Sequence, residues 1–211
     1  NPATKEVIYA PPEGRDLILD KLAAWERFIH ADDDLDPLVR MALAHYQFEA
    51  INTFNDGNGR TGRVLISPVL VRAGLLDQPI LYLSRSIITR KTDYYRLLRA
   101  VTSEQAWTDW VLYMLDVVRE SAESTTRKIA AIRTSQHDIA ERARDATPGG
   151  RDSRFLDVLF EQPYCRISTV VDRCDVSRQT ASTWLHALVG AGLLTDLKIG
   201  RDVVFLNRDL L

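Results

Sequence analysis

Apolar positions recur at helical spacing through most of the first two-thirds of this chain. Leu17, Leu19, Leu22, Ala23, Trp25 and Phe28 predict a first helix. The acidic run Asp32 to Asp34 breaks that pattern, and Asp36-Pro37 then reads as an N-cap followed by a first-turn proline. A second helix is therefore predicted from Pro37 to about Ile51. A third opens within "RTGRVLISPVLVRAGLL", where Pro68 predicts a kink. "QPILYLS" is a short apolar piece, "RKTDYYRLLRAVT" returns to helical spacing, and "AWTDWVLYMLDVVRESAE" reads as an amphipathic, aromatic-rich helix. Only "KEVIYAPPEG", near the start, reads as an edge strand or flap, because its prolines end ladder pairing.

Beyond Ser121 the pattern changes. Residues 121–144 are polar with a narrow stripe of Ile129, Ile132 and Ile139, which suits a connecting helix. "DATPGGRD" reads as a boundary. Residues 151–211 then predict three helices and a hairpin turning at Lys198 to Asp202. Ser177 is the N-cap of the third helix, and Gly190 or Gly192 lies at its end. That order is the order of a winged helix-turn-helix. The expected organisation is a helical core domain over 1–118, a connecting helix and linker over 119–150, and the small winged domain over 151–211.

Composition narrows the partners. The chain has 211 residues and a formal net charge of -2, so it carries no general attraction to nucleic acid or anionic membrane. No apolar run reaches the roughly 18 residues of a membrane span, and no secretory pattern opens the chain, so a cytoplasmic location and no membrane partner are expected. Cys165 and Cys174 are too few for a disulfide framework or a zinc site.

The most informative stretch is "AINTFNDGNGRTGR", residues 50–63, set between two helical patterns. Gly57, Asn58 and Gly59 let backbone amides approach an anion closely, and a helix starting at once aims its free N–H groups at it. Arg60 and Arg63, three residues apart, share a face of the first turn and can both reach a phosphate tail. Asp56 is suited to magnesium, which takes one or two carboxylates beside phosphate oxygens. No Gly-Lys-Ser/Thr follows, so this is not a Walker-type loop. A blander reading stays open from spacing alone: a glycine-rich helix cap whose arginines are solvated or pair with Asp32 to Asp34.

With its flanks, "HYQFEAINTFNDGNGRTGRVL" resembles the Fic family signature HxFx(D/E)GNGRxxR. "EVIYAPPEG" resembles the family's flap, and "DPLVRMALAHYQFEAI", "PILYLS", "DYYRLL" and "WTDWVLYML" resemble its flanking segments. The resemblance spans about residues 5–118. It implies a mainly α Fic-type helical bundle with a short β flap, followed here by the small winged-helix (α+β) domain. It also implies ATP with Mg2+, and transfer of AMP to a Ser, Thr or Tyr hydroxyl of a target protein. By the resemblance Asp56 holds the metal, and Gly57, Asn58 and Gly59 form an anion hole for the inner phosphates. Arg60 and Arg63 bind the outer ones, and Phe54 anchors the loop in the core. The flap at Val7, Ile8, Tyr9 and Ala10 adds target backbone as an extra strand. Tyr95, or Tyr94 beside it, lines the adenine pocket, with ordinary core packing as the alternative for either ring.

The departure is at the signature's first position. Asn52 stands where the family has a histidine, and Thr53 where proline is usual. That histidine takes the proton of the attacking hydroxyl, a task an amide cannot perform. The expected outcome is nucleotide binding with transfer slowed by ~10²–10⁴-fold or more. None of His30, His45, His137 and His186 offers a replacement: His45 lies about 10 Å up its helix from Asn52. Asn52 is either an introduced change or the mark of a naturally silent nucleotide-binding protein, and the second reading makes the chain a nucleotide-sensing transcriptional regulator.

The C-terminal unit would present Arg178, Gln179, Thr180 and Thr183 from its third helix, with Lys198 and Arg201 on the wing, toward DNA. Residues 151–211 hold seven Arg and one Lys against seven Asp and one Glu. That neutrality weakens the DNA reading, because non-specific affinity is electrostatic. A scaffold for a homodimer or a protein partner is the alternative.

Overall fold

The computed structural model describes residues 9–200 and 202–210. Val7, Ile8 and Arg201 lie outside the described residues. The chain divides into two compact units, one ending at Thr125 and the other starting at Thr126.

The first unit is helical: α1 (Arg15–Ile29), α2 (Pro37–Ile51), α3 (Asn58–Arg72), α4 (Ser84–Thr89), α5 (Lys91–Glu104) and the first half of α6 (Trp107–Ala146). α2 begins where the sequence predicts, with the Asp36 carboxylate accepting from the amides of Leu38 and Val39. It is apolar on nearly every side, and eight of its residues are buried, so it forms the centre around which the others pack. Met41, Ile66, Leu70, Tyr94, Trp110 and Met114 fill that core. Two indoles tie it together: Trp110 Nε1 donates to the Ala42 carbonyl and Trp25 Nε1 to that of Ala44, each at 2.8 Å. Polar connections lock the periphery. Arg90 bridges Asp116 at 2.6 Å and Glu120 at 3.0 Å, with its guanidinium over the Tyr113 ring.

α3 continues through Pro68, which lies on the exposed side of the helix. The pattern at 90–102 forms α5, and the short α4 ahead of it was not expected. The described part of the flap, residues 9–12, is irregular. Pro11 and Pro12 offer no N–H for a ladder, and the Tyr9 hydroxyl is instead tied to the Ala50 carbonyl.

The second unit contains the rest of α6, a 3-10 turn at Pro148–Arg151, α7 (Ser153–Glu161), β1 (Tyr164–Arg166), α8 (Ile167–Cys174), α9 (Arg178–Gly190), β2 (Thr195–Ile199) and β3 (Asp202–Leu206). The sheet order is β1-β3-β2, all antiparallel. The sequence reading missed β1, which is three residues long and begins just after Pro163. Ile139, Phe155, Val170, Leu185 and Phe205 build this core. The expected linker at 145–152 lies inside the unit. Gly149 and Gly150 are buried, the first against the Trp184 indole and the second against the Ala143 backbone. These glycines serve close packing. Both cysteines are buried and free, and burial pushes the Cys165 thiol up to about 12. Among the described residues no helix is long and apolar enough to cross a membrane.

Candidate active site

The loop between α2 and α3 is shaped by two left-handed residues. Asn52 ends α2 at φ 50°, ψ 53°, a conformation that asparagine tolerates better than most side chains. Gly57 caps the start of α3 at φ 90°, where a Cβ would be strained. The first bond of α3 runs from the Thr61 amide to the Gly57 carbonyl at 2.9 Å. The amides of Asn58, Gly59 and Arg60 therefore precede the helical ladder, and they form the positive end of the helix dipole. That is an anion-binding geometry.

Asn58 braces the loop. Its Oδ1 accepts from the Phe54 amide at 2.8 Å, and its Nδ2 donates to the Phe54 carbonyl and, at 2.7 Å, to Asn52 Oδ1. Phe54 itself is 47 % exposed, so it does not anchor the loop by burial. Its ring meets only the edge of the core at Phe48, with centroids 6.5 Å apart. The Asn58 side chain does the anchoring, a role that composition could not reveal.

The two arginines part company. Arg60 reaches back one turn to Asp56 at 2.9 Å, with both side chains open to solvent. Arg63 folds inward: its Nε donates to Ser84 Oγ at 3.3 Å, and its Nη1 lies 3.0 Å from where a Cβ of Gly59 would stand. Neither turns to the acidic run at 32–34. Asp33 there pairs with Arg40, which also donates to the Phe28 carbonyl. The helix-cap alternative loses its proposed acidic partners, while its solvated arginine is seen at Arg60.

Beneath Arg63 lies a polar cluster that sequence reasoning passed over. Glu49 sits three residues before Asn52, and its Oε1 is sealed from solvent with no hydrogen-bond donor among the described residues. A Cβ on Gly62 would meet that oxygen at 2.5 Å, while both carboxyl oxygens lie within 4 Å of the Cβ position of Gly59. Burial pushes the Glu49 carboxyl up, and Arg63 partly offsets this. His45 is fully enclosed, with its Nε2 3.0 Å from the Tyr94 hydroxyl. Burial, with Arg63 adding to it, pushes its imidazole down to about 3. A ring so placed stays neutral and is committed to Tyr94, so it does not stand in for a base at position 52. The signal that could have found this cluster is the pairing of "QFEAI" with the glycine of "RTGR".

A cavity of about 950 Å³ opens beside the loop, lined by Tyr9, Tyr46, Glu49, Ala50, Tyr95 and Arg99 among others. Tyr95 is 54 % exposed there, whereas Tyr94 is 1 % exposed and belongs to the core. Ala10 is exposed beside Tyr9. Asp56 is the one carboxylate of the loop, and among the described residues no group of three His, Cys, Asp or Glu side chains could enclose a metal. A single exposed carboxylate next to an anion site suits a magnesium ion that takes its other ligands from phosphate and water. In the second unit Arg178, Gln179, Thr183 and Lys198 are exposed and Thr180 is half-buried. The hydroxyls of Ser177, Thr180 and Thr183 are engaged within α9.

Residues 2–70 match the profile of the Fic/DOC family, and residues 136–210 match that of the C-terminal domain of SoFic-like protein adenylyltransferases. The chain is 29 % identical over 130 residues to the protein adenylyltransferase fic-1 of Caenorhabditis briggsae, covering 61 % of this chain and 24 % of that protein. It is 33 % identical over 105 residues to fic-1 of Caenorhabditis elegans, covering 50 % and 19 %. Against the protein adenylyltransferase Fic of Drosophila yakuba it is 41 % identical over 68 residues, covering 31 % and 14 %. The matches thus span a quarter or less of these relatives' length. A crystal structure of a Fic family protein from Desulfovibrio desulfuricans G20 superposes over 97 % of this chain and 59 % of its own, with a TM-score of 0.52 at 22 % identity, a likeness of fold. The loop at 52–63 thus lies within the stretch that is similar to the Fic/DOC family, and most of the second unit lies within the stretch that is similar to SoFic-like C-terminal domains.

Proposed function

We propose that this protein is a Fic-type protein adenylyltransferase site that binds ATP with Mg2+ and is impaired in transfer by Asn52. The observation that supports this best is the anion-binding start of α3, flanked by Arg60 and Arg63 and joined by Asn58 to the residue at the base position. Gly57, Asn58 and Gly59 would receive the inner phosphates on their amides, and Arg63 the outer ones, from the place that Ser84 and Gly59 give it. Arg60 would exchange Asp56 for phosphate, freeing that carboxylate for the metal, which would supply charge neutralisation when bound. Tyr95 would lie against the base within the cavity beside Tyr9. The flap, of which Tyr9 is tied to the Ala50 carbonyl, would hold a target chain. The hydroxyl of its Ser, Thr or Tyr would attack the α-phosphorus and pyrophosphate would leave. Asn52 has no proton-accepting group for that step, so binding outlasts catalysis. Calorimetric titration of ATP with Mg2+, repeated on Arg63→Ala, tests the binding half. Saturable heat lost in the variant is expected, and no heat in the parent would contradict the proposal.

A second reading, a nucleotide-responsive regulator that binds DNA through α9 and the β2–β3 hairpin, draws on the exposed Arg178, Gln179 and Lys198. Its expected sign is a mobility shift with promoter DNA that weakens as salt rises. The neutral charge of the unit and the hydroxyls already committed within α9 favour a protein-contact role instead.

A further inference from the structure

The second unit ends in a sheet whose outer strand, β2, is open on one side. Among the described residues it pairs with β3 alone. Four of its five residues, Asp196, Leu197, Lys198 and Ile199, are exposed. Leu197 is 49 % and Ile199 57 % accessible, although they share a face with Val204 and Leu206 of the neighbouring strand. An edge with apolar side chains and free backbone groups is a template for a further strand.

The charges on this edge specify which strand fits. An antiparallel copy of "TDLKI" centred on Leu197 sets Leu197 against Leu197 of the second copy, and Thr195 against Ile199. It sets Asp196 against Lys198 twice, once in each direction. Opposite charges directly across an antiparallel pair are favourable, and like charges there are unfavourable. Sliding the register by two residues either way puts Asp196 against Asp196 or Lys198 against Lys198. A slip of one residue turns the apolar face over. Only the centred register satisfies charge and face together, and it is two-fold symmetric, as an isologous contact must be. We propose that β2 is a homodimerisation edge, pairing with β2 of a second copy of this chain to give a continuous six-stranded sheet in the order β1-β3-β2-β2-β3-β1. A five-residue edge falls well short of the roughly 1,600 Å² of a standard interface, so the dimer is weak, with a Kd on the order of 10–100 µM. This inference is independent of the nucleotide site.

The test is sedimentation equilibrium of the full chain across that concentration range, with Asp196→Lys, Lys198→Asp and the combined swap. The parent is expected to dimerise. Each single reversal, which places like charges opposite one another in both pairs, should weaken the dimer about tenfold or more, and the double swap should restore it. Hydrogen exchange on the parent supplies a readout that needs no variant: the β2 amides should gain protection as concentration rises. A parent that stays monomeric, a dimer indifferent to the single reversals, a double swap that fails to recover, or β2 amides insensitive to concentration would each overturn the proposal.

Discussion

Asn58 donates its side-chain amide to Asn52 Oδ1 at 2.7 Å, so the residue at the base position and the residue that opens the anion site are directly bonded. The same Asn58 side chain also closes the Phe54 turn. Replacing it with Ala should cost about 1 kcal/mol or more in stability, the net worth of the lost bonds. It should also weaken ATP binding by a larger factor than the stability loss explains, because the amides of α3 lose their brace. Denaturant melts beside ATP titration check this; unchanged affinity would show that the loop is held by other means.

Gly59 and Gly62 are predicted to act differently although they lie one turn apart. A methyl at 59 meets Arg63 Nη1 at 3.0 Å, the end of a movable side chain, so Gly59→Ala should fold normally while displacing the guanidinium. Triphosphate affinity should fall and adenosine affinity should not. Titration of both ligands reads the split.

At position 62 the methyl meets Glu49 Oε1 at 2.5 Å, with Phe48 at 3.2 Å and His45 at 3.3 Å behind it. Gly62→Ala should therefore destabilise by about 1–3 kcal/mol through overpacking. Combining it with Glu49→Ala should recover part of that loss, a coupling that a double-mutant cycle measures.

His45 should make the fold acid-sensitive. Its imidazole is held neutral down to about pH 3, while in the unfolded chain it titrates near the ordinary value of about 6.5. Between those limits the unfolded state binds the extra proton, so stability falls as pH drops from about 6.5 toward 3. At pH 4.5 the loss should be about 3 kcal/mol. The Glu49 carboxyl, raised by burial, acts in the opposite sense near the start of its own titration, so the His45 share is read as a difference. His45→Gln should flatten the stability profile between pH 4.5 and 6.5 relative to the parent.

Much of this was legible in the sequence where a residue's role is local. Asp36-Pro37 marked the start of α2, Ser177 that of α9, and Gly57 and Gly59 the turn that opens α3. What escaped depends on contacts between distant residues. The resemblance implied Phe54 as a core anchor, yet the loop it sits in is secured by Asn58. Glu49 and Gly62 form one feature only after α2 and α3 are packed together. "TPGG" has the composition of a linker, and only the Trp184 indole against Gly149 shows that it is interior. Arg60 and Arg63 share a helical face, but Ser84, twenty-one residues further on, decides where Arg63 goes.

The separation of binding from transfer at Asn52 is tested most directly by Asn52→His. The measurement is the initial rate of labelled AMP incorporation into protein from ATP with Mg2+, parent and variant compared at equal ATP occupancy. The expected result is a gain of about 10²-fold or more, with ATP affinity changed little. A parent that already transfers AMP at the variant's rate, or a variant that binds ATP and transfers none to itself or to any protein of a cell lysate, would contradict the account.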